Sequence, residues 1–290
     1  MKYEIVGRVL EIWRYPVKSM RGESLQVADI DSLGLNGDRG WAIKDNNSGE
    51  IKGAKRFPDL MQCSAKYLSE PTASRVPAAG ISFPDGNTIR TDSEGVSQKI
   101  SDYLKTEVTL FPRLSEANEE HYKRKEELSE DMIRQMLGLG KDEPLPDLSV
   151  FPADKLEEIN EFATLKGTYF DAYPIHLLTT SWLRELSKHS PDSSFERDRF
   201  RPNIVVETDI LGLAELNWCG KNLHIGDTEF ACEIPTIRCS MTTHSTGTLP
   251  RDINVLRTIE NKTGRNVGVY ANVSEKGKIS VGDDVKVSTS

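Results

Sequence analysis

Ile5-Val6-Gly7-Arg8-Val9-Leu10-Glu11-Ile12-Trp13-Arg14-Tyr15 is rich in β-branched and aromatic residues, interrupted only by single charges and one glycine. Such a run favours an extended strand. It stops at Pro16. Working outward, residues 25–30 predict a second strand and residues 41–44 a third. Between them, Met20-Arg21-Gly22-Glu23 and Gly34-Leu35-Asn36-Gly37-Asp38 carry turn chemistry. Pro58, Pro71, Pro77 and Pro84 exclude long helices through the first third of the chain. Residues 95–104 predict one short helix, and residues 108–111 a closing strand.

Residues 115–142 differ in character. They carry 13 charged side chains in 28 residues and no proline. Leu128, Met132, Met136 and Leu137 keep helical spacing, so the segment reads as a solvated helical connector. Pro144, Pro146 and Pro152 break the chain before a short helix over 153–163. Pro174 suits the first turn of a helix whose buried stripe is Ile175, Leu178, Trp182 and Leu186. Residues 203–207 and 223–234 return to strand composition. Pro250 opens a helix with Ile253, Leu256 and Ile259 on one face. Residues 267–273 and 279–287 are strands joined through Glu275-Lys276-Gly277. This order does not fit a parallel βαβ repeat, and neither G-x-G-x-x-G nor a Walker loop is present. The expectation is an α+β protein, mainly β, that contains a β-barrel.

The chain has 290 residues, 37% of them hydrophobic, enough for one large domain or two smaller ones. Its formal charge is −8, which argues against nucleic acid as a partner while leaving room for a local basic groove. No apolar run reaches the roughly 20 residues of a membrane helix, and no secretory h-region precedes Tyr15. A cytoplasmic protein with no membrane partner is expected. Cys63, Cys219, Cys232 and Cys239 form no C-x-x-C pair, which argues against structural zinc, a dithiol redox site or an iron–sulfur cluster.

Four stretches could carry chemistry. Lys18 and Ser19 follow a strand that ends in proline, and a point charge beside a hydroxyl suits a phosphate. An ordinary solvated turn carries the same residues. Arg39, in Gly37-Asp38-Arg39-Gly40-Trp41, could clamp an anion or simply pair with Asp38. Arg197, Arg199 and Arg201 fall within five residues before a strand, either as an anion site or as a charged loop paired with Asp198 and Glu196. Arg238-Cys239-Ser240-Met241-Thr242-Thr243 follows a strand. A cation beside the thiol favours the thiolate, which is a nucleophile or a ligand for a soft metal. Cys63, Cys219 and Cys232 read as packing residues. His176 reads as a half-buried histidine or a cofactor contact.

In this order and spacing, the motifs resemble the MOSC family, the molybdenum cofactor sulfurase C-terminal type of domain preceded by its N-terminal β-barrel domain. Tyr15 to Ser19, Gly34-Leu35 and Gly37-Asp38-Arg39 are similar to the N-terminal signature. Arg199-Phe200-Arg201-Pro202-Asn203, residues 218–226, Arg238-Cys239 with Thr242-Thr243, and Val281-Gly282-Asp283-Asp284-Val285 resemble the MOSC part. The resemblance implies an N-terminal domain over residues 1–114, a helical connector over 115–165 and a MOSC β-barrel domain over 166–290.

It also implies a molybdenum cofactor, molybdopterin with its metal bound by Cys239. Lys18, Ser19, Arg39, Arg201, Asn203, Arg238 and Tyr270 would contact the pterin or its phosphate, as would Thr179, Thr180 and Ser181. Amidoxime-reducing components of this family reduce N-hydroxylated compounds. The expected activity is therefore that of an oxidoreductase cleaving an N–O bond, with Cys239 as the catalytic centre. Electrons would come from a separate donor protein, a ferredoxin, a cytochrome or a flavoprotein reductase. The alternative is a sulfur or cofactor carrier without turnover. Pyridoxal phosphate is not expected, since Lys18 lacks a Schiff-base context. The family's Asp-containing stretch before Thr-Gly is replaced by His244-Ser245, and His244 is a candidate proton donor.

Overall fold

The computed structural model describes residues 2–289. Seven strands close a barrel. Their order is Lys2–Arg14, Ile204–Glu207, Ile175–Thr179, Asn266–Glu275, Thr228–Ile237, Asn222–Ile225 and Asp284–Thr289, which pairs back onto Lys2–Arg14. Only Ile175–Thr179 and Ile204–Glu207 run parallel. The protein is mainly β, with a barrel core. The first strand closes that barrel although the other six come from residues 175–289. Closure leaves these strands no open edge between them.

Burial follows the two-residue period of a strand that has one face on the core. In Thr228–Ile237, Thr228, Phe230, Cys232, Ile234 and Thr236 are buried, and the residues between them are not. Phe230 and Cys232 pack with Ile12, Leu223, Val269 and Val285 inside the barrel. The strand Val27–Asp31, paired with Gly34–Leu35 and Gly277–Ser280, adds Ala28, Ile30 and Leu35 to the same core. Residues 17–110 supply a second core around Trp41, Leu60, Ile81 and Ile100, with Cys63 inside it. Cys63 and Cys232 are thus packing residues, and half-buried Cys219 packs against the barrel core.

Three local expectations are corrected. Residues 175–179 are a barrel strand in which every residue is buried, not the start of a helix. The helix Thr180–His189 begins after Thr179, whose Oγ1 accepts from the Trp182 N–H at 3.3 Å. A short apolar run buried on both faces carries no periodicity that separates strand from helix. Residues 279–287 divide into Gly277–Ser280 and Asp284–Thr289, separated by a turn with Gly282 at φ +94°. The charged connector is only partly solvated. His121 and Tyr122 are buried, and Tyr122 joins Ala42, Ile51, Phe162 and Tyr169 in a core of its own.

Candidate functional site

A cavity of about 260 Å3 opens among loops at the strand ends, below the connector. Six basic side chains line it: Lys18, Arg39, Lys55, Arg199, Arg201 and Arg238. The single carboxylate in the lining is Asp171. Such a local cationic excess in an acidic chain attracts anions. An adjoining cavity of about 250 Å3 shares Lys18, Lys55 and Asp171 and adds Lys52, Arg56 and Arg124.

Lys18 Nζ donates to Asp171 Oδ1 at 2.7 Å and to the Tyr169 carbonyl at 2.8 Å. Burial lowers the Lys18 pKa and outweighs the Asp171 charge, so its proton is held less tightly than in water. Burial alone would raise the Asp171 carboxyl, but Lys18 and Lys55 overcome it and hold it well below the usual carboxylate range. About half of the Asp171 side chain stays accessible, so this pair is enclosed by protein yet open to whatever enters the cavity. Lys55 is shifted upward, chiefly by Asp171. Ser19 Oγ accepts from the Ala54 N–H at 2.8 Å. A Cβ on Gly53 would lie 2.5 Å from that oxygen, so glycine lets the Lys52–Arg56 loop close onto the site.

Asp38 organises the opposite wall. Its carboxylate accepts from the Tyr15 N–H and from Asn203 Nδ2, both at 2.8 Å, and pairs with Arg39. Asn203 is buried, and its remaining polar contacts go to the His176 N–H and the Trp13 carbonyl. The Arg39 and Arg201 guanidinium carbons stand 4.6 Å and 4.3 Å from the Tyr15 ring centroid. The ring's electron-rich faces favour both cations. Burial pushes Arg201 down to about 10 and Tyr15 up to about 12. Ser19, Arg39 and Arg201 have φ of 70°, 47° and 56°. They are three of the five non-glycine left-handed residues among those described. Backbone strain of this kind concentrates at functional sites.

The three clustered arginines take three roles. Arg197 lies away from the cavity lining, paired with Glu11 at 2.7 Å and with Asp198 and lying over the Trp13 ring. Arg199 is buried and donates to the carbonyls of Ser194, Thr242, His244 and Pro250. It thereby pins the loop after Cys239. Arg201 faces the cavity. Arg197 thus fits the paired-loop reading, Arg199 fits neither, and Arg201 has no carboxylate ion pair among the described residues and is turned to the cavity.

Cys239 follows the strand Thr228–Ile237 and caps the short helical turn Ser240–Thr243, half-buried and lining the cavity. Arg238 beside it donates to the Phe200 carbonyl at 2.8 Å, while its buried Nε has no partner. A buried unpaired guanidinium N–H calls for an acceptor. Tyr270 stacks on Tyr173, with centroids 5.3 Å apart, and burial raises its pKa. Burial and Arg238 push His176 far below its ordinary pKa, so its imidazole is neutral. At φ +84°, Gly268 makes room for that ring, since a Cβ there would lie 2.3 Å from His176 Nε2. Among the described residues, no group of three or more His, Cys, Asp or Glu side chains could hold a metal by itself.

Residues 164–286 match the MOSC domain family model, and residues 6–111 match the MOSC N-terminal beta barrel domain. The chain belongs to the MOSC-domain family. It is similar to mitochondrial amidoxime reducing component 2 of Bos taurus, at 24% identity over 97% of this chain and 83% of that protein. Similarity to human mitochondrial amidoxime-reducing component 1 is 26% over 82% of this chain and 66% of that protein. Among solved structures, the YUAD protein of Bacillus subtilis aligns over 99% of this chain and 97% of its own, with 12% identity and a TM-score of 0.43. No helix among the described residues is long and apolar enough to cross a membrane.

In this MOSC protein, Lys18, Ser19, Arg39, Arg201, Asn203, Arg238, Cys239 and Tyr270 all line one cavity. Thr179, Thr180 and Ser181 do not. Thr179 ends the strand three residues beyond His176, about 10 Å along it, and Thr180 and Ser181 open the helix that follows. Thr179 Oγ1 instead donates to Glu215 Oε2 at 2.6 Å and lies 2.8 Å from Ser181 Oγ. Burial pushes Glu215 up to about 7. The stretch before Pro174 lines the cavity in their place, with Asp171 and Tyr173. His244 is also outside the lining, with burial and Arg251 lowering its pKa. The sequence reading missed Lys55 and Asp171. Lys55 left a signal, the basic run around Gly53-Ala54, whereas nothing local marked Asp171.

Proposed function

We propose that this protein is a molybdenum-cofactor-dependent reductase that cleaves the N–O bond of N-hydroxylated compounds, using electrons from a separate donor protein. The observation that carries this reading is the convergence of Cys239, a free thiol, with six cations and an unpaired buried Arg238 Nε in one cavity. An anionic pterin phosphate suits the cations, and a soft metal suits the thiolate. The relatives named amidoxime reducing components support the same reading.

When bound, the cofactor would supply a two-electron centre at its metal. The chain's own residues do the rest. Cys239 Sγ would hold the metal. Arg39, Arg201 and Arg238 would clamp the anionic groups, and Lys18, Ser19 and Lys55 would close around them. Asp38 and Asn203 keep the arginine wall in register. The overall balance is R–NH–OH plus two electrons and two protons to R–NH2 and water. Neutral His176 adds no further positive charge to a wall already rich in cations.

The test is metal and pterin analysis of protein made in cells that synthesise the cofactor, followed by assay with an amidoxime. One molybdenum per chain, turnover with a reduced viologen dye and no turnover with NADH or NADPH alone are expected. Absence of molybdenum overturns the proposal. Full cofactor with no reduction of any N-hydroxylated compound points to a carrier instead.

A further inference from the structure

The helices Glu130–Leu137 and Ala153–Glu161 are amphipathic, yet no residue of either is fully buried, and only Ile159 packs against a core cluster, that of Ala172, Tyr173 and Ile234. Their apolar side chains Ile133, Met136, Leu156 and Ile159 line the cavity. The connector is densely charged, but among the described residues it contributes no charged side chain to this lining. Its nearest charges lie just outside, Lys155 over the Tyr173 ring at 5.5 Å and Arg124 in the adjoining cavity. The only polar side chain it places there is Asn160.

This apolar wall is attached to the residue next to Cys239. Ser240 Oγ donates to the Met136 carbonyl at 2.9 Å, and Arg265 Nη1 donates to the Leu137 carbonyl at 2.7 Å. Both bonds satisfy carbonyls that the end of a helix leaves without intrahelical partners. Gly138, at φ +70°, lets the helix end so close to Ser240 that a Cβ would lie 3.3 Å from the serine Cβ. On the other side, Phe151 stacks on Tyr173, which stacks on Tyr270. The cavity therefore has two chemically distinct ends, cationic around Arg39 and Arg201, and apolar and aromatic beneath the connector.

We infer that the connector forms a substrate vestibule that selects N-hydroxylated compounds with an uncharged, ring-sized apolar body. The inference rests on the reductase reading for the N–O group and extends it to the rest of the substrate. A small molecule is the occupant because the apolar end is continuous with the Cys239 centre in one concave, mostly apolar pocket. Burying a ring against Phe151, Ile133 and Leu156 supplies hydrophobic binding energy, and a charged body would lose its hydration there without a partner.

The experiment uses cofactor-loaded protein, a reduced viologen dye, and benzamidoxime against acetamidoxime. The ring compound should have a kcat/KM higher by about tenfold or more. Phe151→Ala and Ile133→Ser should each cut that ratio several-fold while molybdenum content stays at one per chain. If Phe151→Ala loses metal, Phe151→Leu replaces it. Calorimetry without an electron donor reads benzamidoxime binding independently of turnover. Equal kcat/KM for the two compounds, or a ratio unmoved by the variants, overturns the vestibule and leaves the reductase standing. Binding that the variants weaken, in the absence of any turnover, overturns the reductase and leaves the vestibule standing.

Discussion

Lys18 Nζ and Asp171 Oδ1 lie 2.7 Å apart although 153 residues separate them in the chain. The pair joins the turn after the first strand to the segment before the strand Ile175–Thr179. Lys18→Ala should weaken cofactor retention by about tenfold, because it removes a cation and leaves the Asp171 carboxylate facing an anion. Asp171→Asn should retain the cofactor and lower stability by less than about 1 kcal/mol, since the carboxylate is half-exposed and screened. Molybdenum per chain after dialysis checks both. The depressed Asp171 pKa stabilises the fold above the unfolded carboxyl pKa, so this contribution holds at neutral pH, fades as acid takes the pH below that unfolded value and is gone below the lowered folded one.

Cys239→Ser should lose most bound molybdenum and all turnover. A hydroxyl is a harder ligand and stays protonated where a thiol ionises. The thermal transition should barely move, because Cys239 is half-exposed and its side chain has no hydrogen bond among the described residues. Normal metal content and activity in this variant would remove the central assignment.

Arg39→Ala and Arg201→Ala should each cost about 1.5–3 kcal/mol of cofactor binding, tenfold or more in retention. Their effects on the fold should differ. Arg39→Ala strips a cation from buried Asp38, which keeps its bonds from Tyr15 and Asn203. Arg201→Ala releases the Met20 carbonyl and uncovers the Tyr15 ring. Extensive dialysis with metal analysis, alongside thermal melts, separates binding from folding. Full retention in both variants would rule out the clamp.

Glu215 is completely buried, and its folded pKa of about 7 lies above the unfolded value near 4.3. The folded state therefore binds more protons between those two values. Stability should fall as pH rises through that window, by about 4 kcal/mol in all, and level off above it. Glu215→Gln should flatten this dependence. Denaturant unfolding of both proteins at pH 5.5 and pH 8 measures it, and parallel behaviour at the two pH values would refute the burial argument.

The strand pattern and the cationic motifs were legible because they are local. The run from Ile5 to Tyr15 and the strand composition of residues 223–234 announce extended chain. Lys18-Ser19, Arg39, Arg201 and Arg238-Cys239 stand beside turn residues, so each could be singled out without knowing its neighbours in space. Reading failed where the local signal was ambiguous or absent. Residues 175–179, apolar on both faces, could have been helix or strand until the barrel paired them. Thr179 to Ser181 were placed at the site by their position in a motif, but Thr179 ends the strand about 10 Å beyond His176 and Thr180 and Ser181 begin the next helix.

The sequence by itself determined a mainly β chain with a charged connector and a set of cations near one candidate thiolate. Those properties come from composition and short-range spacing. Tertiary structure alone decided that the first strand closes a barrel made otherwise from residues 175–289, and that Asp171 and Lys55 meet Lys18. It also decided that the connector's apolar stripe faces the Cys239 cavity, with Phe151 and Ile159 packed on Tyr173 at its edge. The helical spacing of Met132 and Met136 shows that such a stripe exists. What it faces is set by contacts between segments far apart in sequence, such as Ser240 with Met136, and no local pattern encodes them.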